Sequence, residues 1–137
     1  MYLLDTNVVS ELRRSRPHKA VLRWLETIPP VDVHLSSVSI GEIQRGIELT
    51  RKQDRAKAAE IEEWLQGLAQ AINVLPMDVR EFRWWARFMH NRSDDLIEDA
   101  MIAATAQVHD LTVATRNVKD FRPFGVRTFD PFSTSSG

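Results

Sequence analysis

The stretch Tyr2-Leu3-Leu4-Asp5-Thr6-Asn7 is a short apolar run that ends abruptly in a carboxylate and two small polar residues. Short strand-like runs recur at Val33-His34-Leu35-Ser36, Asn73-Val74-Leu75, Leu111-Thr112-Val113-Ala114-Thr115 and Arg127-Thr128-Phe129, with Pro29-Pro30 before the second and Pro76 after the third. Between them lie longer segments with helical periodicity. That alternation restricts the chain to an α/β fold with a parallel sheet and right-handed crossovers. In such a sheet ligands collect outside the carboxyl ends of the strands, so Asp5 sits where chemistry is expected. Three later acids, Glu42, Asp99 and Asp120, fall at comparable junctions.

The helices follow from apolar stripes and their punctuation. Thr6 or Asn7 can cap a helix through about Arg14, with Val8, Val9 and Leu12 at helical spacing. Pro17 marks a break, and Ala20, Val21, Trp24, Leu25 and Ile28 form the stripe of a helix that ends before Pro29. Helices are also predicted from Ser39 to Thr50 and from Gln53 to Ile72, the second with Ala58, Ile61, Leu65, Leu68 and Ile72 inward. Asp78 caps a further helix to about Asn91, rich in aromatics, whose adjacent Trp84 and Trp85 cannot both face inward. Asp94 or Asp95 caps the next, Leu96 to His109, where Ala100, Ala103, Ala104 and Ala106 permit close packing on a sheet. Residues 1–132 read as one domain, and the small polar tail Ser133 to Gly137 has no means of ordering itself.

Composition removes several classes. A chain of 137 residues with 43% apolar and 27% charged residues suits one soluble globular domain. The absence of cysteine excludes disulfides and thiolate metal sites. No apolar run approaches membrane-spanning length and no secretory leader pattern opens the chain, so a soluble protein that stays where it is made is expected. The net charge is −1, which argues against a generic basic nucleic-acid surface. Setting the four junction acids aside leaves 15 acids against 18 bases, a balance of +3. Arg13, Arg14, Arg16, Lys19 and Arg23 share one segment free of acids. A positive rim around an acidic centre is what a polyanionic substrate needs, although the same charges also describe a solvated helix face.

Each acid has an alternative role. Asp5 could cap the helix that follows it, but Thr6 and Asn7 offer themselves for that task. Ser39-Ile40-Gly41-Glu42 fits a capping box, in which the glutamate reaches back to the cap residue's N–H. Asp99, crowded by Asp94, Asp95 and Glu98, lies near the positive end of a helix dipole, and Asp120 could be a turn residue. Taken together at one end of a parallel sheet, the acids suit a hard divalent cation such as Mg²⁺ or Mn²⁺. Zinc is disfavoured, because His18, His34, His90 and His109 show no paired ligand spacing. The five glycines do not cluster into a phosphate loop, and no nucleophile elbow is present.

Four segments carry a family resemblance: Leu3 to Glu11, Leu35 to Ile43, Asp99 to Ala106, and Ala114-Thr115-Arg116-Asn117-Val118-Lys119-Asp120-Phe121. Together, in order and spacing, they resemble a PIN domain of the VapC toxin family, in its FitB-like branch, from Met1 to about Phe132. The resemblance implies a three-layer α/β/α fold around a central parallel sheet and a Mg²⁺- or Mn²⁺-dependent endoribonuclease. The family's acids carry over onto Asp5, Glu42 and Asp99, with Asp5 and Asp99 on the metal. Many PIN domains have an aspartate where this chain has Asn117; here the nearest acid is Asp120, which puts a second metal in doubt. Thr115 matches a hydroxyl position near the site, with Asn7 and Asn117 expected as further supporting groups; the acid-free basic segment, apart from the resemblance, suggests Arg13, Arg14 and Arg16 as RNA contacts. Also implied are a VapB-type antitoxin that neutralises the toxin, a homodimer and an RNA substrate, transfer RNA being common in the family.

Two other classes fit less well. A phosphohydrolase of the haloacid dehalogenase type needs a second aspartate where Asn7 stands. A receiver-like signalling module needs an acidic pair before the first helix and a lysine after a late strand, and neither is evident. A catalytically inactive PIN binding domain would have no need of intact Asp5, Glu42 and Asp99.

Overall fold

The computed structural model describes residues 1–133 of the chain. Its centre is a five-stranded, all-parallel sheet of order β3-β2-β1-β4-β5. The strands are β1 (Tyr2–Leu4), β2 (Val33–Ser36), β3 (Asn73–Leu75), β4 (Thr112–Ala114) and β5 (Thr128–Phe129). Seven α-helices connect them: α1 (Thr6–Glu11), α2 (Lys19–Glu26), α3 (Ser37–Arg51), α4 (Arg55–Ala71), α5 (Val79–Met89), α6 (Ile97–His109) and α7 (Val118–Phe121). Short 3₁₀ turns at Pro30–Asp32, Asp94–Leu96 and Arg122–Phe124 complete the described elements.

Alternation along the strands divides the core into two layers. Leu3 and Val113 face α6, where Ala100, Ala103 and Ala106 are fully or almost fully buried and let the helix approach closely, with Phe121 and Phe124 closing that layer. Leu4, Leu35 and Ala114 face the other way, against Val8, Val9 and Val21 of α1 and α2. A satellite core of Ile47, Ala58, Ile61 and Leu65 joins α3 to α4. Of the tryptophan pair, Trp85 packs against the core and donates its Nε1–H to the Ile97 carbonyl at 3.3 Å, while Trp84, also half-buried, lies between Arg87 and Phe88.

The structure corrects several boundaries. Helix α1 ends at Glu11 rather than near Arg14, because Glu11 is buried and accepts the His18 N–H at 2.9 Å, which turns the chain back early. Helix α3 begins at Ser37, capped by Ser36, whose hydroxyl accepts the Val38 N–H; strand and helix therefore meet without a loop. Ser39 is thus inside the helix, and Glu42 is not a capping-box glutamate. The capping box lies instead at Asp78 and Glu81, with the Asp78 N–H donating to Glu81 Oε1 at 2.9 Å. Ser93, not Asp94 or Asp95, caps the turn that leads into α6. The expected polar tail falls at residues 134–137 outside the described residues; Ser133 within them donates its N–H to Asp130 O. Among the described residues no helix is long and apolar enough to cross a membrane.

Candidate active site at the carboxyl edge of the sheet

Parallel pairing sets Leu4 beside both Leu35 and Ala114. The next residue of each strand therefore reaches one edge together: Asp5 after β1, Ser36 at the end of β2 and Thr115 after β4. Helices that return antiparallel to the strands begin at this same edge, so the starts of α1, α3 and α6 point their positive dipole ends toward it. Asp5 enters from β1, Glu42 from the second turn of α3 and Asp99 from the first turn of α6.

Asp5 is the most firmly held of the acids. It is only 6% exposed. Its Oδ1 accepts the Thr6 N–H at 2.8 Å, and its Oδ2 accepts the Thr115 hydroxyl at 2.7 Å and the Asn7 amide at 3.2 Å. The sequence reading kept Asp5 free by assigning the cap to Thr6 or Asn7. In the structure Asp5 is itself the cap of α1 and also points into the site, so the two roles coexist. The Asn7 Oδ1 also accepts the Arg116 N–H at 3.2 Å, tying α1 to the loop after β4. Thr115 is completely buried and accepts the Asn117 N–H at 2.9 Å. Asn117 contributes that backbone contact and is exposed.

Glu42 is oriented by Thr6. The Thr6 hydroxyl lies 3.1 Å from Glu42 Oε1 and 3.0 Å from the buried Ser39 hydroxyl. A carboxylate can only accept, so Thr6 gives its single proton to Glu42 and accepts from Ser39. Neither hydroxyl was singled out from the sequence, because a threonine after a strand and a serine inside a helix read as capping or packing residues.

Mutual repulsion marks the acids as one group. Burial, then the charges of Asp5, Asp120 and Glu98, push the Asp99 carboxyl up to about 6. Burial, then the charge and hydrogen bonding of Glu98, push Glu42 up to about 7, with Asp5 adding to the shift and the Thr6 hydroxyl opposing it. Asp5 is also raised, chiefly by burial, against the opposing hydrogen bonds from Thr115, Thr6 and Asn7. Asp120, on α7, is exposed, yet its charge is felt by both Asp5 and Asp99. Glu98 joins the group unforeseen; beside Asp99 it reads in the sequence as one more helix-start acid.

Asp5, Asp99 and Asp120 are coupled through their fields, and Glu42 is coupled to Glu98 by a hydrogen bond as well. Among the described residues no three acid or histidine side chains close into a ready-made ligand set. The available donors are oxygens, which suits a hard cation. The histidines are engaged elsewhere or apart: His18 Nδ1 accepts the Ala20 N–H, and His34 Nδ1 lies 3.3 Å from the Tyr2 carbonyl.

The basic rim is less free than the acid-free segment suggested. Arg13, Arg14 and Arg16 are exposed beyond α1, but Arg14 pairs with Glu11 at 3.0 Å. Burial alone would raise Glu11; the His18 N–H and Arg14 overcome it and leave the carboxyl below its ordinary value. The field of Arg116 adds to that lowering. Arg116, adjacent to Thr115, lays its guanidinium over Phe132 at 3.8 Å.

Comparison with known proteins identifies the scaffold that carries these residues. The PIN domain model matches residues 2–124. The chain is 34% identical to Toxin FitB of Neisseria gonorrhoeae, over 96% of this chain and 99% of that one. It is 33% identical to VapC ribonuclease Y4jK of Sinorhizobium fredii, over 96% and 98%. The crystal structure of FitAcB from Neisseria gonorrhoeae superposes with a TM-score of 0.84 at 34% identity, over 96% of this chain and 99% of that one. A central strand that delivers Asp5 to the edge where Glu42 and Asp99 converge is thus built on a shared scaffold, and the chain belongs to the PIN domain family, in the branch of the FitB toxin and the VapC ribonucleases.

Proposed function

We propose that this protein is the toxin of a type II toxin–antitoxin pair, a metal-dependent endoribonuclease that hydrolyses RNA phosphodiester bonds and is neutralised by a VapB- or FitA-type antitoxin. The observation that carries the reading is the electrostatic convergence of Asp5, Glu42 and Asp99 at one sheet edge of a PIN domain. Relatives named as a toxin and a ribonuclease support it, as do solved neighbours described as toxin–antitoxin complexes.

Asp5 and Asp99 would hold a divalent cation, Mg²⁺ or Mn²⁺ by the all-oxygen donor set. When bound, the ion would polarise a phosphoryl oxygen and lower the pKa of a water. The chain's own residues set the rest. Thr115, Asn7 and the Thr6 N–H fix both oxygens of Asp5. The Thr6 hydroxyl donates to Oε1 of Glu42 and so orients the carboxylate, which would accept a proton from an attacking water. Asp120 stands at the rim, where it would steady the leaving side through a second ion or a water.

Expression of the protein alone should arrest bacterial growth, and co-expression of the adjacent antitoxin gene should relieve the arrest. Normal growth with confirmed soluble expression would count against the reading. Arg13, Arg14 and Arg16 are proposed to hold RNA beyond α1. Their joint replacement by Gln should lower the slope of log Kd against log salt by up to about 2, at roughly 0.7 per lost phosphate contact on a single strand. Because Arg14 is shared with Glu11, a drop nearer 1.4 would mean that Arg14 makes no phosphate contact.

A further inference from the structure

We propose that the outer face of α5 is a second contact surface for single-stranded RNA, with Trp84 as a base platform and Arg80, Arg83 and Arg87 as phosphate contacts. The proposal rests on the ribonuclease reading above and extends it to how a long substrate is held.

The three arginines, at i, i+3 and i+7, share one side of the helix. With Trp84 and with Gln107 and Val108 of α6 they line a concavity of about 260 Å³. The Arg87 guanidinium stands 4.9 Å from the centre of the Trp84 ring. Trp84 leans on Phe88 at 5.6 Å, and Phe88 packs on the buried Phe124 at 5.3 Å, so the platform is anchored to the core. Among the described residues none of these arginines is in an ion pair, whereas Arg14, Arg51, Lys57 and Arg127 all are. The acid of the same helix, Glu81, is turned inward and caps Asp78, so it leaves the cations unneutralised.

Position then selects the ligand. Asp99 and Gln107 lie eight residues apart on α6, about 12 Å along its axis, so the arginine pocket is at the opposite end of that helix from the acids. A strand of several nucleotides spans that separation. The acids repel phosphates, so affinity for RNA has to be gained away from them. Arginines alone would serve an acidic peptide equally well. A cation-backed indole beside the apolar Val108 adds what a nucleic-acid base uses, a face to stack on.

The test is fluorescence anisotropy with a labelled 20-nucleotide oligouridylate, in an Asp99→Asn background so that the probe survives. Joint replacement of Arg80, Arg83 and Arg87 by Gln should reduce the slope of log Kd against log salt by about 2. Trp84→Leu should weaken binding about ten-fold with little change in slope. Melting curves and sedimentation of each variant report on folding and assembly. Unchanged affinity and slope in folded variants would overturn the proposal and leave a solvated helix face. An unchanged slope accompanied by loss of self-association, or by loss of binding to co-expressed antitoxin, would overturn it in favour of a protein interface. Failure of the ribonuclease reading is distinguishable: the parent chain with Asp99 intact would then leave RNA uncut, whatever the oligouridylate result.

Discussion

Asp99→Asn should slow RNA cleavage by at least about 10²- to 10³-fold, the loss that follows removal of one preorganised charge-stabilising group, while the metal-free variant melts higher than the parent. The two effects share a cause. Asp99 is half-buried among Asp5, Asp120 and Glu98, and its carboxyl is held near 6 by burial and by those charges. At pH 7.5 the parent carries the charge at a cost. Asparagine keeps the shape and removes the charge. Allowing for solvent screening of a half-exposed group, relief of roughly 1 kcal/mol is expected, a rise of about 3–5 °C for a domain of this size.

Asp5→Asn should be equally inactive, but without the rise in melting temperature. Both Asp5 oxygens are occupied as acceptors, Oδ1 by the Thr6 N–H and Oδ2 by the Thr115 hydroxyl. An amide nitrogen in place of Oδ2 would face the Thr115 hydroxyl, which already accepts from Asn117, and the Asn7 amide, which can only donate toward it. Losing that buried acceptor costs about 1–3 kcal/mol, enough to cancel or outweigh the relief of repulsion. Cleavage assays and metal-free melting curves on both variants check the pair. An Asp5→Asn protein that cuts RNA at the parent rate would end the hypothesis, and a higher melting temperature for it would mean that burial cost outweighs its hydrogen bonds. Asp120→Asn, at the exposed rim, should be milder; if it is as inactive as Asp5→Asn, a second ion is essential.

These contrasts show where sequence reasoning holds and where it stops. The strands were legible because each is a short β-prone run closed by proline or polar residues, and α6 because its buried alanines leave little choice but close packing on the sheet. The acids were legible as a set because parallel topology sends every strand end to one edge. Their local environments were not. Ser36, Ser37 and Ser39 all offer a cap before Glu42, and only the absence of a loop after β2 selects Ser36. That selection moves Glu42 from a capping role into the site. The true capping box, Asp78 with Glu81, has the same spacing but was read only as an N-cap, so spacing alone did not discriminate. The end of α1 depends on Glu11 reaching His18, a contact that helical periodicity cannot anticipate. Glu98 is exposed and lies beside a predicted acid, so only the packing of α6 against α3 reveals that it presses on Glu42.

Chelation should abolish cleavage and expose a distinctive pH dependence, both reversed by Mg²⁺ or Mn²⁺. The direction follows from linkage. Asp99 and Glu42 have folded pKa values, about 6 and about 7, above their ordinary 3.8 and 4.5. The folded state therefore binds protons more tightly, so stability falls as pH rises from about 4 to about 7 and stays low above that. Glu11 acts in the opposite sense: its carboxyl is depressed, so its contribution is present above 4.5 and is lost as pH falls through its lower folded value. In EDTA the melting temperature should pass through a maximum near pH 4 and decline toward pH 7.5, by several degrees if the two raised carboxyls together contribute about 1–2 kcal/mol after screening. Subtracting the same curve for the double variant Asp99→Asn/Glu42→Gln should remove most of the decline and leave the acid limb set by Glu11. Mg²⁺ at a hundred-fold excess over its dissociation constant would stabilise the folded state by about 2.7 kcal/mol. That gain should be largest above pH 7, where the carboxylates no longer have to release protons to bind it. Cleavage that survives exhaustive chelation would sink the metal-dependent mechanism. A parent curve that keeps rising from pH 5 to 7.5 in EDTA, with no difference from the double variant, would show that Asp99 and Glu42 do not carry the burial and acidic neighbours the structure gives them.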